Sequence, residues 1–397
     1  MGKFKCDMSR REALTSLVAL GAAGGIVNAA SAYTRSPGSA GYSKTFSQFR
    51  AASPRAVGAW YQPTDTLPHT RTWMAWPNST AIWGKKLLAQ VQANIATIAN
   101  NIAEFEPVYM ICPAANAAQV KAACSSGVTV IDTIPNNDLW MRDMGPIFLT
   151  NGQGGLSGLS MNFNGWGNQQ VHNLDALVAK EVLSYLGLSC TVTPFVAEGG
   201  AIVTDGLGTG LATATSIVNS NRNPGKTQAQ LSTEIIAAFG LTEMLWLPGT
   251  IVSGDITDDH IDALAQWVGE AKLVVAQPYS QSETDPFSVD EKNSWKLLQG
   301  MKDSLGNSFT LYASDCSKSI PPGESASTFD NVYMNWYPVN GAIMVPAFDD
   351  PVYDPACVAL AGELFPGRKV VQMRIDGLGA GGGGIHCSTQ QQPVAIG

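Results

Sequence analysis

Cys387 follows His386 at the end of a glycine-rich run, Gly379-Ala380-Gly381-Gly382-Gly383-Gly384-Ile385-His386-Cys387, ten residues before the C-terminus. Glycine lets main chain approach a ligand closely, so a thiol at the end of such a run can stand open to a small substrate. The plainer alternative is a flexible tail with an inert cysteine, the commoner outcome for such a stretch alone. The other reactive side chains decide between the two. Histidine is scarce: His69, His172, His260 and His386 are all there is. His260 lies in Gly254-Asp255-Ile256-Thr257-Asp258-Asp259-His260-Ile261-Asp262, and on a strand residues 260 and 262 face the same way, imidazole and carboxylate into one pocket. The same oxygen-rich spacing would suit a calcium loop, but the glycine and terminal glutamate of the familiar loop are missing. Asp143 sits in Trp140-Met141-Arg142-Asp143-Met144-Gly145-Pro146, and Glu198 precedes Gly199-Gly200. Singly, each carboxylate reads as a turn residue, Asp143 held by its own backbone or paired with Arg142.

Together these residues form the set needed to attack a small cation. A guanidinium is planar, resonance-stabilised and positive. A catalyst must hold its N–H edges with carboxylates while a strong nucleophile attacks the central carbon. Asp143 and Asp262 supply bidentate recognition, and the bound cation favours thiolate over thiol at Cys387 by Coulomb attraction. His260 can then protonate departing ammonia and later take a proton from the attacking water. A cysteine amidase or peptidase would use the Cys–His pair but needs oxyanion donors in place of twin carboxylates. A catalytically idle binding protein would need none of the five.

A constellation spread over residues 143–387 needs a large rigid frame. The 397 residues are 45% hydrophobic and 14% charged, ample for a buried core. No linker interrupts the chain after about residue 60, which predicts one catalytic domain over 59–397. Residues 1–32 read as an export leader: Lys3, Lys5, Arg10 and Arg11 precede the apolar stretch 13–27, and Ala30-Ser31-Ala32 offers a cleavage site. Arg10-Arg11 gives it a twin-arginine character. The apolar stretch is too short to span a bilayer, so the expectation is a secreted or periplasmic protein with no stable membrane insertion after cleavage. Residues 33–58, rich in Ser, Gly, Ala and Arg, read as a loose lead-in. A formal charge of −8 and the lack of a basic stripe argue against nucleic acid and for cationic partners. No Cys-x-x-Cys pair indicates zinc, and Gly206-Leu207-Gly208-Thr209-Gly210 lacks a dinucleotide spacing, so neither metal nor cofactor is expected.

Apolar periodicity predicts helices over 87–105, 176–186 and 228–239, and strands at 108–112, 128–131, 192–196 and 244–247, an alternating α/β pattern. A polar motif beside a short strand recurs at 140–148, 198–203, 260–262, 335–346 and 384–387, a weak hint of internal repetition. Trp76, Trp140, Trp166 and Trp336 stand near these motifs and would either line a pocket or fill the core.

The chain resembles the agmatine deiminase and bacterial (Porphyromonas)-type peptidyl-arginine deiminase family from about Trp60 to Pro393. The resemblance is carried by Thr72-Trp73-Met74-Ala75-Trp76-Pro77, Trp140 to Pro146, Phe163-Asn164-Gly165-Trp166-Gly167, Glu198-Gly199-Gly200, Asn221-Arg222-Asn223-Pro224, His260-Ile261-Asp262 and Ile385-His386-Cys387 with Thr389-Gln390-Gln391. It implies a five-bladed pseudo-symmetric α/β propeller of the pentein-like, guanidine-modifying kind. It also implies Cys387 as the nucleophile of a covalent thiouronium intermediate, His260 as acid/base, Asp143 and Asp262 as guanidinium clamps, and Glu198 as partner of the histidine or of the guanidinium. Trp140 and Asn335 complete the expected substrate-binding set. Members acting on agmatine typically carry a glutamate four residues before the histidine, where this chain has Ile256. That departure and the leader favour arginine in peptides or proteins over agmatine. Arg222 or Arg374 is then the expected reader of a peptide's terminal carboxylate. Oligomeric state and disulfide pairing are left open by the sequence.

Overall fold

The computed structural model describes residues 58–322, 324 and 329–395; the leader and nearly all of the lead-in fall outside the described residues. Five small sheets are arranged as blades around one axis. The first contains β1 (His69–Ala75), β2 (Val108–Ile111) and β3 (Val128–Ile131), with helix α1 (Thr80–Ile102) crossing between β1 and β2. The second has β4 (Ile147–Thr150), β5 (Leu156–Ser160), α2 (Asp175–Tyr185) and β6 (Cys190–Val192), and the third β7 (Val203–Thr204), β8 (Thr209–Thr213), α3 (Gln228–Phe239) and β9 (Glu243–Leu247). The fourth has β10 (Ala265–Gly269), β11 (Lys272–Gln277), α4 (Pro286–Gly300) and β12 (Thr310–Asp315), and the fifth β13 (Tyr337–Val339), β14 (Ala342–Ala347), α5 (Tyr353–Leu364) and β15 (Lys369–Arg374).

Blades two to five repeat one unit. A first strand pairs antiparallel with a second, and the second pairs parallel with a third through a helical crossover. A parallel pair cannot be joined by a tight turn, so each unit needs its helix, and the helices cover the outside of the ring. The first blade lacks its own inner strand. The C-terminal β16 (Thr389–Pro393) supplies it, pairing antiparallel with β1 with Met74 opposite Thr389 and Trp73 opposite Gln390. First strands of neighbouring blades touch near the axis, β16 against β4 and β7 against β10. The five polar motifs that hinted at repetition are the entries to these five first strands, so the expected propeller is the observed fold.

Local sequence explains the elements. Ser79 caps α1 by accepting from Ile82 N at 3.3 Å, and Leu88, Val91, Ile95, Ile98 and Ile102 bury one face. The helix begins seven residues earlier than apolar spacing alone predicts, because its first turns run through a kink at Gly84 (φ 64°). Around α3, Thr227 and Gln230 form a reciprocal cap, and Gly240 closes the helix at φ 66°. The strand expected at 192–196 stops at Val192. Pro194 has no N–H for a ladder, and side-chain amides take over: Asn162 donates to Thr193 O at 2.7 Å, and Val196 N donates to Asn223 Oδ1 at 3.0 Å. The six described cysteines are all free.

One buried carboxylate ties the first blade to the fifth. Glu106 accepts from Thr72 Oγ1 at 2.5 Å and from Asn340 N at 2.8 Å, and lies 3.0 Å from His69 Nδ1. Glu106→Ala leaves those groups unpaired in the core and is expected to cost about 3 kcal/mol or more. Thermal unfolding should show a drop of several degrees, while an unchanged midpoint would mean that Glu106 does not hold the blades together.

Candidate active site

The entries to the inner strands meet at one end of the axis. Asp143 lies in a one-turn helix before β4, and Glu198 caps a turn before β7. His260 and Asp262 flank the turn before β10, Asn335 stands two residues before β13, and Cys387 two residues before β16. Gly200 shows how tightly they converge. A Cβ built there would lie 2.7 Å from His260 Nδ1, 2.9 Å from Asp143 Oδ1 and 3.1 Å from the Asp262 carboxyl carbon. Only a residue without a side chain fits between the three.

The thiol of Cys387 is partly accessible. Asn335 holds it, with Nδ2 3.2 Å from Sγ and Oδ1 accepting from Cys387 N at 3.3 Å, and Asp262 Oδ2 stands 3.7 Å from Sγ. Asn335 thus touches the thiol directly. The glycine run is packed, not frayed: a Cβ at Gly383 would strike the Trp140 ring at 2.6 Å, and one at Gly384 the Asn335 amide at 2.5 Å. Trp140 therefore forms the wall under the run, and Trp166 serves the site through a hydrogen bond from Nε1 to Asp143 Oδ2 at 2.9 Å. Trp76 and Trp336 are core.

The carboxylates differ in how they are used. Asp143 also accepts from Gly200 N at 3.0 Å. Asp262 accepts from His386 Nδ1 through Oδ2 at 2.7 Å, while its buried Oδ1 has no protein partner. Glu198 lies 3.2 Å from His260 Nε2 and receives Arg222 Nε at 2.9 Å and 3.0 Å on its two oxygens. His260 Nδ1 is 3.7 Å from Asp143 Oδ1, so the imidazole spans two carboxylates.

Two backbone irregularities aim these groups. Asp258 and Asp259 both adopt left-handed conformations (φ 58° and 73°) directly before His260. Such positions persist only where surroundings over-determine them. Here Asp255 accepts from Thr257 N, Thr257 Oγ1 and Asp259 N, and Arg222 Nη1 donates to Asp258 at 2.6 Å. The calcium-like loop of the sequence thus spends its oxygens on its own frame, and no cluster that could hold a metal occurs among the described residues. Trp166 (φ 52°), between Gly165 and Gly167, is the second irregularity and turns its indole onto Asp143.

Three expectations need correction. Arg222 is no reader of a substrate carboxylate: its guanidinium is buried and bonded to Glu198, Asp258, Asn221 and the carbonyls of Ile256 and Thr257. Arg374 is on the surface, paired with Asp349 and Asp376. Arg142 does not pair with Asp143; its backbone N–H holds Cys387 O at 3.1 Å, and its side chain turns toward His386 O and Asp65. Two groups escaped the sequence reading. His386 was visible only as the neighbour of Cys387, and Asp65, whose Oδ2 lies 2.8 Å from His386 Nε2, carried no local signal.

Burial pushes the Cys387 thiol well above its ordinary value, and the Asp262 and Asp143 carboxylates push it further. Burial, with Asp262 and Glu198 nearby, raises Asp143 to about 6 against the pull of His260. Burial alone would lower His260, but Asp143, Glu198 and Asp262 prevail and raise it to about 9. The site therefore holds a protonated thiol, a protonated imidazole and an excess of carboxylate, an arrangement completed by a planar cation.

Fold and site together define a guanidine-modifying hydrolase of the pentein class. A family model for Porphyromonas-type peptidyl-arginine deiminase matches residues 61–393, and the chain belongs to that family. It is 32% identical to agmatine deiminase of Pseudomonas fluorescens over 86% of this chain and 98% of that protein, and 30% identical to agmatine deiminase of Ectopseudomonas mendocina over 87% and 98%. The solved structure of agmatine deiminase of Enterococcus faecalis superposes with a TM-score of 0.79 at 25% identity, covering 86% of this chain and 100% of that one.

The charge states predict the pH dependence. Below about 6 Asp143 gains a proton and loses its hold on a cation; above about 9 His260 has no proton to give. A profile of kcat/KM should be bell-shaped with limbs near these values, which belong to the coupled pair. Glu198→Gln removes a group that keeps His260 protonated, so the alkaline limb should move to lower pH; an unmoved limb would detach it from His260. Gly200→Ala, placing a methyl among three reacting groups, is expected to lower kcat about 100-fold, which steady-state rates on the folded variant will check.

Proposed function

We propose that the protein hydrolyses the guanidinium group of agmatine to N-carbamoylputrescine and ammonia through a covalent intermediate on Cys387. The observation that carries this reading is the convergence of Asp143, His260, Asp262 and Cys387 around Gly200. The choice of agmatine is supported by the relatives that bear that name. It is also supported by the charge of the site: Arg222 and Arg374, the two cations considered for reading a carboxylate, are both committed elsewhere.

In this mechanism the guanidinium lies between Asp143 and Asp262, whose unpartnered Oδ1 meets an N–H edge. Its positive charge offsets the carboxylates that keep the thiol protonated, so Cys387 releases its proton to solvent and attacks the central carbon as the thiolate. The tetrahedral adduct collapses as His260 donates its proton to the departing nitrogen, leaving a thiouronium and free ammonia. Neutral His260 then takes a proton from water as the water oxygen bonds to the same carbon. The C–S bond breaks as the hydroxyl proton of this second adduct passes to the departing sulfur, releasing the urea product and restoring the thiol, while the proton first lost to solvent ends on ammonia as ammonium. Asp143 and Asp262 remain ionised, and one water is consumed for each ammonia formed.

A specific observation keeps peptidyl-arginine as the second reading. The position where agmatine-specific members typically carry glutamate holds Ile256, whose half-buried side chain packs against the core and offers no charge to a distal amine. Ammonia release on agmatine, free arginine, and peptides with internal or terminal arginine separates the readings. The expected outcome is turnover of agmatine, abolished in Cys387→Ala. Preference for peptides would replace agmatine with a protein-modifying role, and silence on every guanidine, indistinguishable from Cys387→Ala, would sink deimination altogether. We also propose export, supported by the basic and apolar segments of residues 1–32. N-terminal sequencing of the protein recovered from its producing cells should begin near Tyr33; an intact Met1 would overturn cleavage.

A further inference from the structure

The segment before β1 lies outside every blade yet runs across the far end of the axis. Tyr61 pairs with Thr150 at the end of β4, with both backbone bonds at 2.9 Å, and Gln62 N donates to Phe239 O at the end of α3. A Cβ at Gly206 would meet Thr64 N at 2.7 Å, and Arg368 Nη2 donates to Thr66 O at 2.5 Å. The segment is thus fixed to the second, third and fifth blades, with Asp65 at its middle. Asp65 points inward into a small cavity on the axis, lined also by Gln62, Thr204, Trp267, Arg142 and His386.

The backbone carbonyl of Asp65 meets His69 Nε2 at 2.9 Å, while every contact of its carboxylate leads toward the site. Oδ2 lies 2.8 Å from His386 Nε2 and 3.6 Å from Arg142 Nη1, and Oδ1 accepts from Gln391 Nε2 at 2.5 Å. The other ring nitrogen of His386 lies 2.7 Å from Asp262 Oδ2, leaving Asp262 Oδ1 free. From the geometry we infer that Asp65 is a positioning residue of the active site: acting through His386, it fixes the rotation of the Asp262 carboxylate, so that the strap before the first blade completes the guanidinium clamp from behind. The inference rests on the deimination proposed above.

The physical need is specific. Asp262 shares a dry site with Asp143 and Glu198 and would swing away from them if nothing held it. An imidazole clamped at one end only can rotate about its side-chain bonds, while one held at both ends cannot. Burial works against ionisation of Asp65, but Arg142, His386 and His69 outweigh it and hold the carboxyl at about 2, so the clamp stays charged wherever the enzyme could work. Asp65 touches no substrate and transfers no proton in this role.

The test is Asp65→Asn, which keeps the shape and one acceptor but not the charge, with Gln391→Leu as a second variant that leaves the charge and loosens the carboxylate. Affinity for agmatine is measured in a Cys387→Ser background, where no chemistry follows, and kcat/KM with Cys387 intact. For Asp65→Asn the expected result is a Kd raised about tenfold and kcat/KM lowered about tenfold to a hundredfold, with a smaller loss for Gln391→Leu, at a Tm within a few degrees of the parent. A purely structural role would lower Tm and leave the affinity of the folded fraction unchanged. If Asp65→Asn matches the parent in affinity and turnover, the inference fails and deimination stands. If Asp65→Asn does not fold, an unchanged affinity in Gln391→Leu overturns the inference in the same way. A parent protein that neither binds nor hydrolyses any guanidine removes deimination and this role with it.

Discussion

Four carboxylates crowd the axis of this propeller, and the rest of the structure is arranged to tolerate them. Each of Asp143, Glu198, Asp262 and Asp65 would repel the others and pick up a proton if left alone. Arg222 answers Glu198, His260 bridges Glu198 and Asp143, and His386 bridges Asp262 and Asp65 beside Arg142. Asp143 is the least compensated, its carboxyl raised to about 6 while Glu198 and Asp262 are lowered. Compensation is therefore weakest at Asp143, which faces Asp262 and the thiol across one small volume. Ion pairs taken out of water seldom add net stability, since desolvation offsets the attraction. These are explained better by binding than by folding: in the deimination proposed above, a guanidinium entering the site meets the least compensated carboxylate and eases loss of the thiol proton.

Such an array cannot be built from neighbouring residues. Five side chains of like polarity, all pointing at one small volume, would strain any single loop. The propeller spreads the cost: each blade contributes the residues that lead into its first strand, and the strand anchors them over the axis. Closure follows from the same logic. Because β16 is the inner strand of the first blade, its ladder with β1 sets the position of Cys387, two residues upstream, against Asn335 and Asp262. Closure of the ring by the β1–β16 ladder and placement of the Cys387 thiol are one event.

What could be read in the sequence follows this division. The convergence of Cys387, His260 and the three site carboxylates was legible because rare residue types stand beside glycine or at strand edges, and the five polar motifs were legible because each blade needs an entry. Partnership was not. Arg222 looked available for a substrate because a charged side chain in sequence carries no sign of what it will face; only the fold brings it onto Glu198, twenty-four positions away, and onto Asp258. Asp65 gave no signal because its segment has no period and its partner is 321 positions distant. The shortened β6 was foreseeable from Pro194, but the amides of Asn162 and Asn223 that replace its ladder were not.

The loop before His260 separates chemistry from selectivity. Arg222 holds this loop through the carbonyls of Ile256 and Thr257 and the side chain of Asp258, and Asp255 braces it from within, so the strained pair that aims His260 depends on backbone and on two aspartates. The side chain at 256 takes no part in that anchoring; Gln169 Nε2 also binds its carbonyl. A side-chain change at that position therefore leaves untouched the hydrogen bonds that hold the loop before His260. Buried carboxylates fixed at the blade entries, beside a loop side chain free to vary, are a physical reason why one deiminating centre can serve a free amine in one relative and an arginine side chain in another.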